Sequence, residues 1–139
     1  DGANTSTITQ TFTQTASKNF TATVFQRGDD NTSTVTQSDF APGSVASPDE
    51  MLTATVTQTG DGNTSDLTQL NKMATATITQ SGNDNLSEAT QNGATLTLTV
   101  EQTGDGNESD VSQVGLTNLS DVFQAGIGAK STITQAGRS

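Results

Sequence analysis

The stretch LTATVTQTGDGNTSDLTQ, residues 52–69, decides the fold. Two seven-residue segments, each closed by a glutamine, flank the four-residue turn TGDG. In LTATVTQ apolar or small residues alternate with threonines up to Gln58. Alternation with period two, carried by β-branched side chains, is the signature of a strand. A helix would crowd Thr and Val against its preceding turn. The turn needs a positive φ, which glycine adopts at least steric cost.

Working outward, the same unit recurs. Gln58, Gln69, Gln80, Gln91, Gln102, Gln113, Gln124 and Gln135 stand eleven residues apart, and Gln26 and Gln37 keep that step. Gln10 begins the series sixteen residues before Gln26. One set of segments reads FTATVFQ (20–26), LTATVTQ (52–58), ATATITQ (74–80), LTLTVEQ (96–102) and NLSDVFQ (118–124). The other reads NTSTITQ (4–10), NTSTVTQ (31–37), NTSDLTQ (63–69), NLSEATQ (85–91), NESDVSQ (107–113) and AKSTITQ (129–135). The sets alternate, so the repeat holds about 22 residues and two strands. Glycine follows two places after the glutamine at Gly28, Gly60, Gly82, Gly104 and Gly126, and again at Gly93, Gly115 and Gly137. Two longer stretches, Thr11–Asn19 and Ser38–Met51, replace turns. They are expected to be surface excursions that leave the strands in register, because loops tolerate insertion.

Parity with the glutamine sets the inward face. It collects Val24, Val56, Ile78, Val100 and Val122 in one set, and Ile8, Val35, Leu67, Ala89, Val111 and Ile133 in the other. Small residues come next: Ala22, Ala54, Ala76, Leu98 and Ser120, opposite Ser6, Ser33, Ser65, Ser87, Ser109 and Ser131. The seven-residue segments place no charge on this face. One strand cannot bury so narrow a face alone. Two can, if each unit folds as a strand–turn–strand arch and successive arches stack at about 4.8 Å. Identical amides then lie above one another, and each donates to its copy in the next layer. A buried amide is costly only when unpaired. The expected fold is all-β: a β-solenoid of stacked arches with cross-β amyloid architecture. One domain, 1–139, is expected, with a half-layer at 4–10, layers at 20–37, 52–69, 74–91, 96–113 and 118–135, and loop insertions at 11–19 and 38–51.

Composition alone points elsewhere. Only 29% of residues are hydrophobic and the formal net charge is −10, which usually means disorder; the periodic arrangement overturns that reading. The chain has no Cys and no His, which removes disulfides, thiolate and imidazole chemistry and the usual zinc sites. No apolar run is long enough to span a membrane. No leader pattern is visible, so a mature or a cytosolic chain is expected. Five Lys/Arg against fifteen Asp/Glu argue against nucleic acid, which needs clustered cations.

The motif Gln-x-Gly-x-x-Asn, with a second Gln six residues on, resembles the repeat of the curlins, the subunits of bacterial curli. It is complete at Gln26, Gly28, Asn31, Gln37; at Gln58, Gly60, Asn63, Gln69; at Gln80, Gly82, Asn85, Gln91; and at Gln102, Gly104, Asn107, Gln113. Asn4 to Gln10 makes a half-unit. The final unit has Gln124, Gly126 and Gln135 but Ala129 in place of Asn. Curlin repeats begin the first strand with Ser, where this chain has Phe20, Leu52, Ala74, Leu96 and Asn118. The resemblance implies an extracellular amyloid fibre on the bacterial cell surface, a biofilm and adhesion role, export through a curli-type secretion channel, a nucleator subunit as partner and templated growth. It leaves open whether this is the major subunit or a minor, nucleating one.

A solenoid ends in unpaired strand edges that template further strands, and monomeric solenoids normally cap them. Head-to-tail self-association is therefore expected. Asp66, Glu88 and Asp110 share an outward row; neighbours at about 5 Å repel by roughly 1 kcal/mol in water. Such charges act as gatekeepers, so assembly should quicken at low pH or high salt. Two other functions are weighed. Thr53/Thr55, Thr75/Thr77 and Thr97/Thr99 form an array that resembles an ice-binding face, although Thr also suits any exposed strand. GDGN at 60–63 and 104–107 offers oxygen ligands for calcium but lacks the known loop spacings. No cofactor and no catalytic residue is expected.

Overall fold

The computed structural model describes residues 2–12, 18–39 and 50–137. Among them the chain forms strands and turns only. The strands are β1 (Thr5–Thr11), β2 (Lys18–Arg27), β3 (Thr32–Ser38), β4 (Glu50–Thr59), β5 (Thr64–Asn71), β6 (Ala74–Ser81), β7 (Leu86–Ala94), β8 (Leu96–Asp105), β9 (Glu108–Leu116), β10 (Leu119–Ile127) and β11 (Lys130–Gly137). Odd strands make one sheet, in the order β1-β3-β5-β7-β9-β11. Even strands make the other, in the order β10-β8-β6-β4-β2. The chain crosses from sheet to sheet at every turn and climbs one layer per two strands. This is the β-solenoid that the 22-residue period predicts.

Every pairing is parallel, and every register places glutamine over glutamine. Gln58 lies opposite Gln80, Val56 opposite Ile78, and Ala54 opposite Ala76. In the other sheet Gln69 lies opposite Gln91 and Ser65 opposite Ser87. A shift by one residue would turn each inward face to solvent, so the narrow apolar rows fix the register. Backbone bonding continues through the turns: Gly82 N–H donates to the Thr59 carbonyl at 2.9 Å and Asp84 N–H to the Asp61 carbonyl at 2.9 Å.

The core is a thin seam between the sheets. Val35, Val56, Leu67, Ile78, Val100, Val111 and Val122 are buried with Ala54, Ala76, Ala89 and Leu98, and Ala22, Val24 and Ile133 pack against them half-buried. Ile8 belongs to the same row but is 45% exposed, because β1 has no neighbour beyond it. A second, smaller cluster of Leu52, Ala74 and Leu96 runs beside the first, with Phe20 against it.

The two expected excursions keep the register: β1 pairs with β3 from Gln10 to Gln37, and β2 with β4 from Gln26 to Gln58. Their bounds are a correction. Thr11 still belongs to β1, and Lys18 and Asn19 already belong to β2. Ser38 closes β3, while Glu50 and Met51 open β4. The strands run on because backbone pairing to the neighbouring layer continues to Lys18 opposite Glu50. The centres of the excursions, 13–17 and 40–49, lie outside the described residues.

Candidate functional site

The glutamines form two continuous ladders. In the even sheet Gln26 donates to Gln58, Gln58 to Gln80, Gln80 to Gln102 and Gln102 to Gln124, each from Nε2 to Oε1 at 2.8–2.9 Å. In the odd sheet Gln10 donates to Gln37, and the series continues through Gln69, Gln91 and Gln113 to Gln135 at 2.8–2.9 Å. All donors point from the N-terminal towards the C-terminal layer. Gln37, Gln58, Gln69, Gln80, Gln91, Gln102 and Gln113 are fully buried. Gln26 and Gln135 are half-buried and Gln10 is exposed, as edges require.

From Gln26 onward each amide donates its second proton across the core. Gln26 bonds the Thr5 carbonyl, Gln37 that of Thr21, Gln58 that of Thr32, and so on to Gln135 with that of Leu119, at 2.8–3.0 Å in these four cases. In every case the acceptor lies on the preceding strand, in the opposite sheet. A buried amide with both protons and its oxygen engaged no longer bears the desolvation cost that would exclude it from an apolar seam.

The asparagines run the opposite way. Asn31 donates to Asn4, Asn63 to Asn31, Asn85 to Asn63 and Asn107 to Asn85, from Nδ2 to Oδ1 at 3.0–3.1 Å. Asn4, Asn31, Asn63 and Asn85 also donate to the next layer's Gly28, Gly60, Gly82 and Gly104 carbonyls at 2.7–2.8 Å; Asn107 donates to that of Gly126 at 3.2 Å. Ala129 ends the ladder: only its backbone N–H reaches Asn107 Oδ1, at 3.0 Å. These turns also explain the motif glycine. A Cβ on Gly28, Gly60 or Gly82 would lie 2.1 Å from the next layer's glycine carbonyl, and on Gly104 1.9 Å. A Cβ on Gly126 would meet nothing, because its layer is the last.

The turn acids of the expected calcium alternative are engaged in structure. Asp61 Oδ1 accepts from the Asp29 N–H and Asp105 Oδ1 from the Asn83 N–H, both at 2.8 Å. Among the described residues no group of three or more acidic side chains is placed to hold a metal ion. Asp66, Glu88 and Asp110 stand in one row along the odd sheet. Thr21, Thr53, Thr75 and Thr97 stand in register along the even sheet, as do Thr23, Thr55, Thr77 and Thr99.

Two features escape the motif. Lys18, Asp39 and Glu50 extend the inward parity past the seven-residue segments and form a buried ion cluster. Lys18 Nζ lies 3.4 Å from Asp39 Oδ2 and also bonds Glu50. Burial pulls the Lys18 ammonium down, but the hydrogen bonds and charges of Glu50 and Asp39 outweigh it, so its pKa sits above the ordinary lysine value. Continuing the alternation back from Gln26 and Gln58 would have placed Lys18 and Glu50 inward. The second feature is a set of buried hydroxyls, a column of Ser33, Ser65, Ser87 and Ser109 in the odd sheet and Ser120 in the even sheet, whose Oγ atoms have no hydrogen-bond partner among the described residues.

Residues 74–104, which span β6, β7 and most of β8, match the family model of the curlin associated repeat. The chain carries the curlin repeat. No curated protein and no solved structure matches it. The matched curlin repeat contains one complete motif, Gln80, Gly82, Asn85 and Gln91, and the start of the next at Gln102 and Gly104. The ladders above are what the repeat encodes: its glutamines, asparagine and glycine are the residues that meet their own copies in the next layer.

Proposed function

We propose that this chain is a fibre-forming subunit that polymerises by stacking copies end to end, extending both amide ladders across the junction. One observation carries this reading. The glutamine ladder is polar and open at both ends: Gln10 and Gln26 present carbonyl oxygens at one end, and Gln124 and Gln135 present amide protons at the other. Donors of one copy therefore face acceptors of the next, and the unpaired strand edges do the same. On this reading the fibre is extracellular, at the surface of a bacterium, and serves biofilm matrix and adhesion. Its partners are further copies of the chain, a nucleator and a curli-type secretion channel. A role as the minor, nucleating subunit is the alternative within the same class.

Purified protein incubated in buffer and viewed by electron microscopy tests the reading. Unbranched fibres that bind amyloid dyes support it; a protein that stays soluble and monomeric overturns it. The in-register threonine ranks favour one second reading, an ice-binding face, which predicts thermal hysteresis from the soluble monomer.

A further inference from the structure

The eleven described strands divide six to five between the sheets. Strictly translated copies would set β1 of the second copy over β11 of the first. They would leave one empty position in the even sheet at each junction. That void would sit where the core is seamed by buried amides.

The cross-core bonds show what belongs there. From Gln26 onward each glutamine bonds the carbonyl of the second residue of the preceding seven-residue segment: Thr5, Thr21, Thr32 and, at the end, Glu108 and Leu119. Among the described residues Gln10 makes the ladder bond to Gln37 and no cross-core bond. The next carbonyl in the series is that of Lys130. A twelfth strand over β10 would therefore use its glutamine to bond Lys130 and would accept from Gln124. Strand β1 of a second copy, turned by a half-turn about the fibre axis, fills that place and gives Gln10 a cross-core acceptor.

The terminal layer is written for such a turn. The seven-residue segments of odd strands open with Asn (Asn4, Asn31, Asn63, Asn85, Asn107) and carry Ser two places on; those of even strands open with Phe20, Leu52, Ala74 or Leu96 and carry Ala or Leu. In the last layer the opening residues are exchanged, while β11 keeps Ser131. The even strand β10 is preceded by Asn118 and carries Ser120, and the odd strand β11 is preceded by Ala129. Asn118 donates to the Val114 carbonyl, as Asn107 does to that of Thr103. After a half-turn Asn4 lies over Asn118, Ser6 over Ser120, Ile8 over Val122 and Gln10 over Gln124. Phe20 then lies over Ala129 and Gln26 over Gln135. Translation would set Asn4 over Ala129 and end the asparagine ladder at every junction.

We propose that successive copies stack with a half-turn, so that β1 and β2 of one copy pair with β10 and β11 of the copy before it. Each sheet of the fibre then alternates six strands from one copy with five from the next. The inference rests on the end-to-end reading above.

The chain has no cysteine, so paired cysteines report the junction. Outward neighbours on parallel strands lie at about 4.8 Å, within the range a disulfide bridges. Thr9→Cys with Phe123→Cys should convert most chains in oxidised fibres to covalent multimers, while Thr9→Cys with Thr134→Cys leaves them monomeric on a non-reducing gel. Cross-linking through position 134, or fibres in which neither pair links, overturns the half-turn and leaves end-to-end assembly standing. Absence of fibres overturns both. Reconstruction of cysteine-free fibres provides a second measurement. The half-turn predicts a rise of about 26 Å per copy, against about 29 Å for translation.

Discussion

Gln58 and Gln80 are both fully buried, and the amide of the first donates to the carbonyl of the second at 2.9 Å. The bond joins residues 22 positions apart, one layer to the next. Replacing Gln80 by Leu keeps the apolar volume but strips Gln58 of its acceptor and Gln102 of its donor. Each orphaned amide costs about 1–3 kcal/mol, so Q80L should destabilise the solenoid by roughly 2–5 kcal/mol. The guanidinium concentration that dissolves the fibres measures this. An unchanged midpoint would mean that the ladder contributes nothing.

Glycine at the third position of the motif is demanded by the neighbouring layer, which separates two substitutions that look alike in sequence. Gly82 has φ +115° and no room for a Cβ beside the Gly104 carbonyl. Gly106 has φ +64° and open space. G82A should cost about 4 kcal/mol or more, whereas G106A should cost only the left-handed penalty, about 1–2 kcal/mol. Thermal or denaturant melting of the two variants side by side is the check.

The orphaned hydroxyl of Ser87 gives a prediction of opposite sign. Alanine removes an unsatisfied polar group without removing a contact, so S87A should be neutral or stabilise by about 1 kcal/mol. A loss of stability would reveal a partner for the hydroxyl.

Lys18 balances two carboxylates inside the same seam. K18M leaves Glu50 without its Lys18 counter-charge, at a cost of about 3 kcal/mol or more. Because the folded pKa of Lys18 lies above its ordinary 10.5, its contribution is complete below that value. It is lost as pH rises through the higher, folded pKa. Unfolding followed between pH 8 and pH 12 should show wild-type stability falling at the alkaline end, with that step missing in K18M.

Neutralising the centre of the acidic row has the reverse effect on rate. Glu88 lies between Asp66 and Asp110, and each neighbouring repulsion is worth roughly 1 kcal/mol before screening. E88Q should shorten the lag before fibres appear, and added salt should shorten it for the wild type more than for E88Q. Equal salt sensitivity would assign the row no part in timing.

Much of this was legible in the sequence, because a stack repeats whatever each layer needs. Gln58, Gly60, Asn63 and Gln69 recur since each touches its own copy. What was hidden lies where the repeat stops. Lys18 and Glu50 obey the inward parity, but the seven-residue segments end before reaching them, and their pairing depends on β2 lying beside β4. Asn118 and Ala129 read as motif failures until strand order shows them to be one exchange between the sheets. The direction of the ladders, with glutamine donors running one way and asparagine donors the other, is set by side-chain rotation and leaves no trace in spacing.

X-ray diffraction from aligned fibres tests the central claim most directly. A stack of in-register parallel strands, continued from copy to copy, predicts a sharp meridional reflection at about 4.8 Å along the fibre axis. Fibres without that reflection, or with it on the equator, would contradict the account.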